Sequence, residues 1–162
     1  MVYHKHNALD DNVYSGERLP LLSREQEKSL FTALHEYRQK FRDLALGNPI
    51  VSQEFTESIQ KIRTEKKLQS EEKFKGRTER DFAYVSLLKR IAEENISEDK
   101  HKALDAYYET YCAIRDYLVM SNVRFVASIA KKYSSPEFSF KDCYETGIAG
   151  LLISIDRFSF AY

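Results

Sequence analysis

The longest periodic run in the chain is SEDKHKALDAYYETYCAIRDYLVMSNVRFVASIAKKY, residues 97–133. Leu104, Tyr108, Tyr111, Ile114 or Arg115, and Leu118 recur three or four positions apart, and Val123, Val126, Ile129 and Tyr133 continue the step. That is the period of one side of an α-helix. Ser97 stands where a cap would, and Ser134-Ser135-Pro136 stops the run. About 35 residues at ~1.5 Å each would span roughly 50 Å, so a bend or break near Ser121-Asn122 is expected.

Similar signals flank this run on both sides. Upstream, Phe82, Val85, Leu88, Ile91 and Ala92 predict a short amphipathic helix ending near Asn95. A weaker one carries Val51, Phe55, Ile59 and Ile62, then passes into a charge-dense stretch from Lys61 to Asp81 whose alternating signs read as a solvated helix or linker. Further back, Ser23 and Gln26 form a capping-box pair ahead of Leu30, Leu34, Tyr37, Phe41 and Leu44, and Gly47-Asn48-Pro49 ends that helix. Downstream, Ser139 and Asp142 announce a last helix with the stripe Tyr144, Leu151, Ile155 and Phe158. Gly147 and Gly150 lie inside it, where they would let a neighbouring helix come close. Five Gly and three Pro in 162 residues leave little turn material for a many-stranded fold. The prediction is an all-α domain of about five helices.

Charge excludes one class of function. Lys and Arg number 25, Asp and Glu 25, and the balance repeats locally, with seven of each over 1–50, eleven of each over 51–100 and seven of each over 101–162. A purely electrostatic nucleic-acid binder would carry surplus cations. The two cysteines, Cys112 and Cys143, share no CxxC and no histidine at ligand spacing, so they read as reduced thiols in a cytoplasmic protein. His4 and His6 read as part of an arm, not a metal pair, and no cofactor is implied. No signal peptide and no membrane span are visible. No nucleophile, zinc or phosphate-loop motif is present, and the carboxylates mostly alternate with cations, so an enzyme is not expected.

One resemblance stands out. Asn122-Val123-Arg124-Phe125-Val126-Ala127-Ser128-Ile129-Ala130-Lys131-Lys132-Tyr133 matches N-L-R-L-V-x-S-I-A-K-K-Y at nine of twelve positions. Phe140, Asp142, Gly147, Gly150, Leu151 and Phe158 then match L-x-F-x-D-L-I-Q-E-G-N-x-G-L-x-x-A-V-x-K-F, with Arg157 in place of its lysine. Both strings resemble the bacterial RNA polymerase sigma factors of the sigma-70 family. Leu19-Pro20-Leu21-Leu22-Ser23-Arg24-Glu25-Gln26-Glu27 resembles the family's first conserved segment, and the resembling stretches cover about 19–46 and 110–162. Where the family has Gln-Glu-Gly-Asn, this chain has Glu145-Thr146-Gly147-Ile148.

The resemblance implies four stretches: an arm over 1–18, a first conserved helical segment over 19–48, a variable charged helical insertion over 49–97, and core-polymerase-binding helices over 98–162. It implies a subunit for transcription initiation whose last helix docks on the clamp coiled coil of the largest polymerase subunit. Asp142, Glu145, Ile148 (or Ala149) and Leu152 share a face of that helix, with Phe140 at its start, and are the candidate docking residues. Arg124, Lys131 and Lys132 are candidate nucleic-acid contacts, though cations at a helix C-terminus also stabilise its dipole without a ligand. The Tyr-rich run Tyr107, Tyr108, Tyr111 and Tyr117 could stack bases, but its helical spacing favours core burial. Promoter DNA would be a partner of the complete protein, whose aromatic promoter-reading helix would follow Tyr162. A helical adaptor that binds polymerase without reading DNA is the alternative. In the resembling fold the helices carrying Val123 to Tyr133 and Phe140 to Phe158 pack against that promoter-reading helix, so their uncovered apolar surface would favour self-association through Phe158, Phe160 and neighbouring apolar residues, or a swap of the C-terminal helix with a second copy.

Overall fold

The computed structural model describes residues 19–69 and 81–158. Among them the chain forms five helices and no strand: α1 (Arg24–Leu46), α2 (Pro49–Gln69), α3 (Phe82–Asn95), α4 (Glu98–Tyr133) and α5 (Phe140–Arg157). The expected all-α class with five helices is what is found. The arm over 1–18, with His4 and His6, and the positions 70–80 and 159–162, with Phe160, lie outside the described residues.

Short-range chemistry sets most helix ends. Ser23 Oγ accepts from the Gln26 amide at 3.2 Å, and the Ser23 amide donates to Gln26 Oε1 at 2.8 Å, so the capping box closes from both sides. Gly47 ends α1 with a right-handed backbone, φ −65°, so its role is spatial: a Cβ there would meet the Asp43 carbonyl oxygen at 3.0 Å. Asn48 Oδ1 then takes the free amides of Ile50 and Val51, which starts α2 with Pro49 in its first turn. Ser97 occupies the cap position of α4, yet its hydroxyl takes no helix amide.

α4 is one uninterrupted helix of 36 residues. No break interrupts it near Ser121-Asn122, although Ser121 Oγ donates to the Tyr117 carbonyl and Asn122 Nδ2 to that of Leu118, contacts of the kind that bend a helix without ending it. α4 packs along α1 and α5, while α2 lies chiefly on α3.

The main core draws Leu34, Phe41 and Ala45 from α1, Val51, Phe55 and Ile59 from α2, and Val85, Leu88 and Ile91 from α3. Leu104, Tyr111, Leu118 and Val119 of α4 and Ile155 of α5 join it, as do Tyr84, Ala92 and Ile96. The segment over 49–97 thus supplies a full share of the core. Beyond Leu118 and Val119 the partners thin out. Only Val126, Ala130 and Tyr144 form a second buried cluster, between the C-terminal half of α4 and the N-terminal half of α5.

This thinning overturns the last two positions of the α4 stripe. Ile129 and Tyr133 point outward, 37% and 72% exposed, because α5 covers one side of α4 there and no described element covers the other. Of the tyrosine run, Tyr111 is buried, Tyr107 and Tyr108 pack against the core, and Tyr117 is exposed. No described helix is long and apolar enough to cross a membrane.

Candidate polymerase-docking surface

The candidate docking residues lie on α5, whose start is well determined. Ser139 Oγ accepts from the Asp142 amide at 3.1 Å and donates to its carboxylate at 2.7 Å. This holds an exposed carboxylate in the first helical turn, where the helix dipole favours it. One turn on, Glu145 is exposed and sits 3.7 Å from Lys141, itself exposed, an ion pair that solvent largely screens. Phe140 stacks on Tyr144 with ring centroids 5.9 Å apart and keeps 36% of its surface open.

The apolar end of the candidate strip is placed differently from expectation. Ile148 packs against Val126, Ala130 and Tyr144, and Leu152 against the main core, so both are half-buried. The open side of α5 instead runs through Asp142, Glu145, Ala149 and Ile153, with Ile153 48% exposed. The structure therefore brings Asp142 and Glu145 together on a free surface with Ala149 and Ile153, and spends Ile148 and Leu152 on internal packing. Ala149 was the alternative at its step; Ile153 was missed, though its absence from the core stripe was the available signal.

The two glycines also part company. At Gly147 a Cβ would come within 2.6 Å of Val126 Cγ1, so the close approach of α4 and α5 is real there. At Gly150 nothing lies within 4 Å, so that glycine faces open space.

Arg124, Lys131 and Lys132 are all exposed on the C-terminal half of α4, and none forms an ion pair with a described residue. They stand beside Phe125, Ile129 and Tyr133. Phe158 stacks on Phe31 at 4.1 Å and is still 43% exposed, so part of the apolar surface expected to drive self-association is used within the chain.

Behind these surfaces lies a buried charge network. Asp156 is 4% exposed and accepts from Arg115 Nε at 2.6 Å, Arg115 Nη2 at 3.2 Å and the Phe82 amide at 3.2 Å. Its carbonyl accepts from Arg38 Nη1 at 2.7 Å. Next to it, Arg157 forms a two-point pair with Asp81 at 2.8 and 2.9 Å. This network ties the end of α5 to α1, α4 and the start of α3.

No three-membered group of His, Cys, Asp or Glu among the described residues could hold a metal. Of the thiols, Cys112 is half-buried, and burial pushes it up from 9.0 to about 11. Below both values the thiolate fraction should then be about 100-fold lower than for an ordinary thiol. Because a thiolate of higher pKa is also more nucleophilic, alkylation of Cys112 by iodoacetamide, followed by peptide mass spectrometry against a free thiol standard, should be slower by about tenfold or more; equal rates would mean that the site opens readily.

No family model matches the chain, and no solved structure matches it.

Proposed function

We propose that the chain is a sigma-70-type transcription-initiation subunit, a cytoplasmic binding protein and not an enzyme, which holds core RNA polymerase through α5. The observation that supports this reading is the agreement between motif and exposure. In the stretch that resembles the family's clamp-binding helix, Asp142 and Glu145 are open to a partner, and Ala149 and Ile153 extend the same side. An acidic start and an apolar end on one rigidly backed helix suit a helical partner such as the clamp coiled coil.

Promoter DNA would be engaged by the complete protein. Arg124, Lys131 and Lys132 would add to that contact, but three cations on a chain of zero net charge release few counterions. The charge balance is what keeps the second reading in play, an adaptor that binds polymerase without reading DNA.

The test is Asp142→Arg. Reversal of this charge is expected to weaken capture of core polymerase by about 1–3 kcal/mol, roughly 5- to 150-fold. The helix start should survive, because Ser139 takes the backbone amide of residue 142. Unchanged affinity in Asp142→Arg, with circular dichroism showing an intact fold, would remove α5 as the docking element.

A further inference from the structure

The start of α3 is held by the end of α5. Asp81 stands at the cap position of α3, yet its side chain takes no helix amide. Its carboxylate is committed to Arg157, which donates to it through Nε at 2.8 Å and Nη2 at 2.9 Å. The Phe82 amide, which must find its acceptor outside the helix, donates instead to Asp156 Oδ2, 74 positions along the chain. The dependence runs both ways. Asp156 puts a negative charge in the last turn of α5, where the helix dipole opposes it, so that turn relies on Arg115 and the Phe82 amide for Asp156 and on Asp81 for Arg157. α3 and α5 do not otherwise run alongside each other, so the link is made at their ends. Its two halves differ in access. The side chains of Arg115 and Asp156 are 10% and 6% exposed, whereas that of Arg157 is 35% exposed and that of Asp81 12%.

We propose that residues 81–82 and 156–157 form a latch through which the segment over 49–97 holds the C-terminal end of α5, and with it the docking surface, in shape. Asp81 and Arg157 are its positioning residues. The latch deepens the polymerase reading and, for its effect on docking, rests on it. In a regular helix the amides of residues 156 and 157 bond the carbonyls of Leu152 and Ile153. When Arg157 lets go, this last turn frays first, because a helix end has the fewest bonds to hold it. Ile153, 48% exposed at the apolar end of the open side, then loses its fixed place. Asp142 and Glu145, at the other end of the helix, keep theirs. The segment over 49–97 is thereby a control element for α5 and not a spacer, since whatever shifts the start of α3 is felt at the docking surface.

The experiment follows amide hydrogen exchange in the full chain by peptide mass spectrometry, beside capture of core polymerase. In Asp81→Asn, peptides from the last turn of α5 are expected to exchange about three- to tenfold faster, the effect of losing a partly exposed two-point ion pair. Peptides from Leu104 to Leu118 of α4 should keep their rate, which separates local release from general destabilisation. Arg157→Gln should act alike, and the double variant should add little to either single one, because both remove one contact. Raising salt from ~0.05 to ~0.5 M should speed this exchange in the parent chain and not in Asp81→Asn, a response that packing alone would not give. Capture of polymerase should weaken about two- to fivefold in Asp81→Asn, since only the Ile153 end of the surface is disturbed. Asp142→Arg, by contrast, should lose capture with no change in exchange at the last turn. The proposal is overturned if that turn exchanges at the parent rate in Asp81→Asn, if the two substitutions add in full, or if exchange quickens and capture does not change. A parent chain that captures no polymerase would remove the docking reading, and exchange would still decide the latch.

Discussion

Replacing Asp156 by alanine is expected to destabilise the fold by about 3–5 kcal/mol, the cost of stranding a buried charge when its partner is removed. The side chains of Arg115 and Asp156 are 10% and 6% exposed, so water cannot take over the lost contact. The carboxylate satisfies Arg115 at two points and also receives the Phe82 amide, which opens α3. Alanine would leave three donors without an acceptor. Arg115 also lies over the Phe82 ring, 4.3 Å from its centroid, so the loss would loosen the packing of α3 on α4 as well. The Arg38 contact should persist, because it uses the backbone carbonyl of residue 156. Urea denaturation of Asp156→Ala, Asp156→Asn and the double variant Asp156→Leu with Arg115→Leu separates the causes. Asparagine keeps an acceptor and should cost less than alanine. The double variant removes both charges and should recover much of the loss, as apolar replacements of buried pairs often do. A loss below about 1 kcal/mol in Asp156→Ala would show that the end of α5 is held by packing alone.

That network was invisible in the sequence for a physical reason. Arg38, Arg115 and Asp156 are separated by 118 and 41 positions along their hydrogen bonds, and locally each looks like one more charge on a solvated helix. Only the open choice between Ile114 and Arg115 in the α4 stripe hinted that a cation could face inward, and the structure buries Arg115. Most features set within one turn were legible, the exception being Ser97, whose hydroxyl caps no helix amide. The Ser23–Gln26 box and the Ser139 cap stand as the spacing predicts, because their partners are three residues apart. The apolar period located the core wherever other helices surround α4, at Leu104, Tyr111 and Leu118. It failed at Ile129 and Tyr133, since periodicity says which residues share a side but not how far the neighbouring helices reach. In the α5 strip the alternative Ala149 is the exposed residue rather than Ile148, and Leu152 gives way to its neighbour Ile153. Adjacent positions differ by about 100° around a helix, and steps of three or four allow either. Tertiary packing decides between them.

The second large effect is expected at Gly147, where valine should cost about 3 kcal/mol, the upper part of the range for overpacking a filled interior. The added Cβ would stand 2.6 Å from Val126 Cγ1, far inside contact distance. Val126 is 5% exposed and β-branched, so it has one favoured rotamer in a helix and no space into which to turn. Either α4 and α5 separate or the Val126–Ala130–Tyr144 cluster rearranges. Gly150→Ala is the internal control with the opposite sign. Nothing lies within 4 Å of its added methyl group, so it should stabilise α5 by about 1 kcal/mol through helix propensity alone. Two glycines three residues apart in one helix should therefore respond in opposite directions in the same denaturation series. Val126→Ala combined with Gly147→Ala should restore the space and recover stability relative to Gly147→Ala. Because Gly147 lies between Asp142 and Ile153 on α5 and opposite the turn that carries Phe125 on α4, its size sets the distance between the two exposed surfaces. A partner that spans both should lose affinity in Gly147→Val beyond the loss in folding, while one that touches α5 alone should not. Equal stability of Gly147→Val and the parent chain would mean that the helices part without cost, and that the spacing of the surfaces is not fixed by this contact.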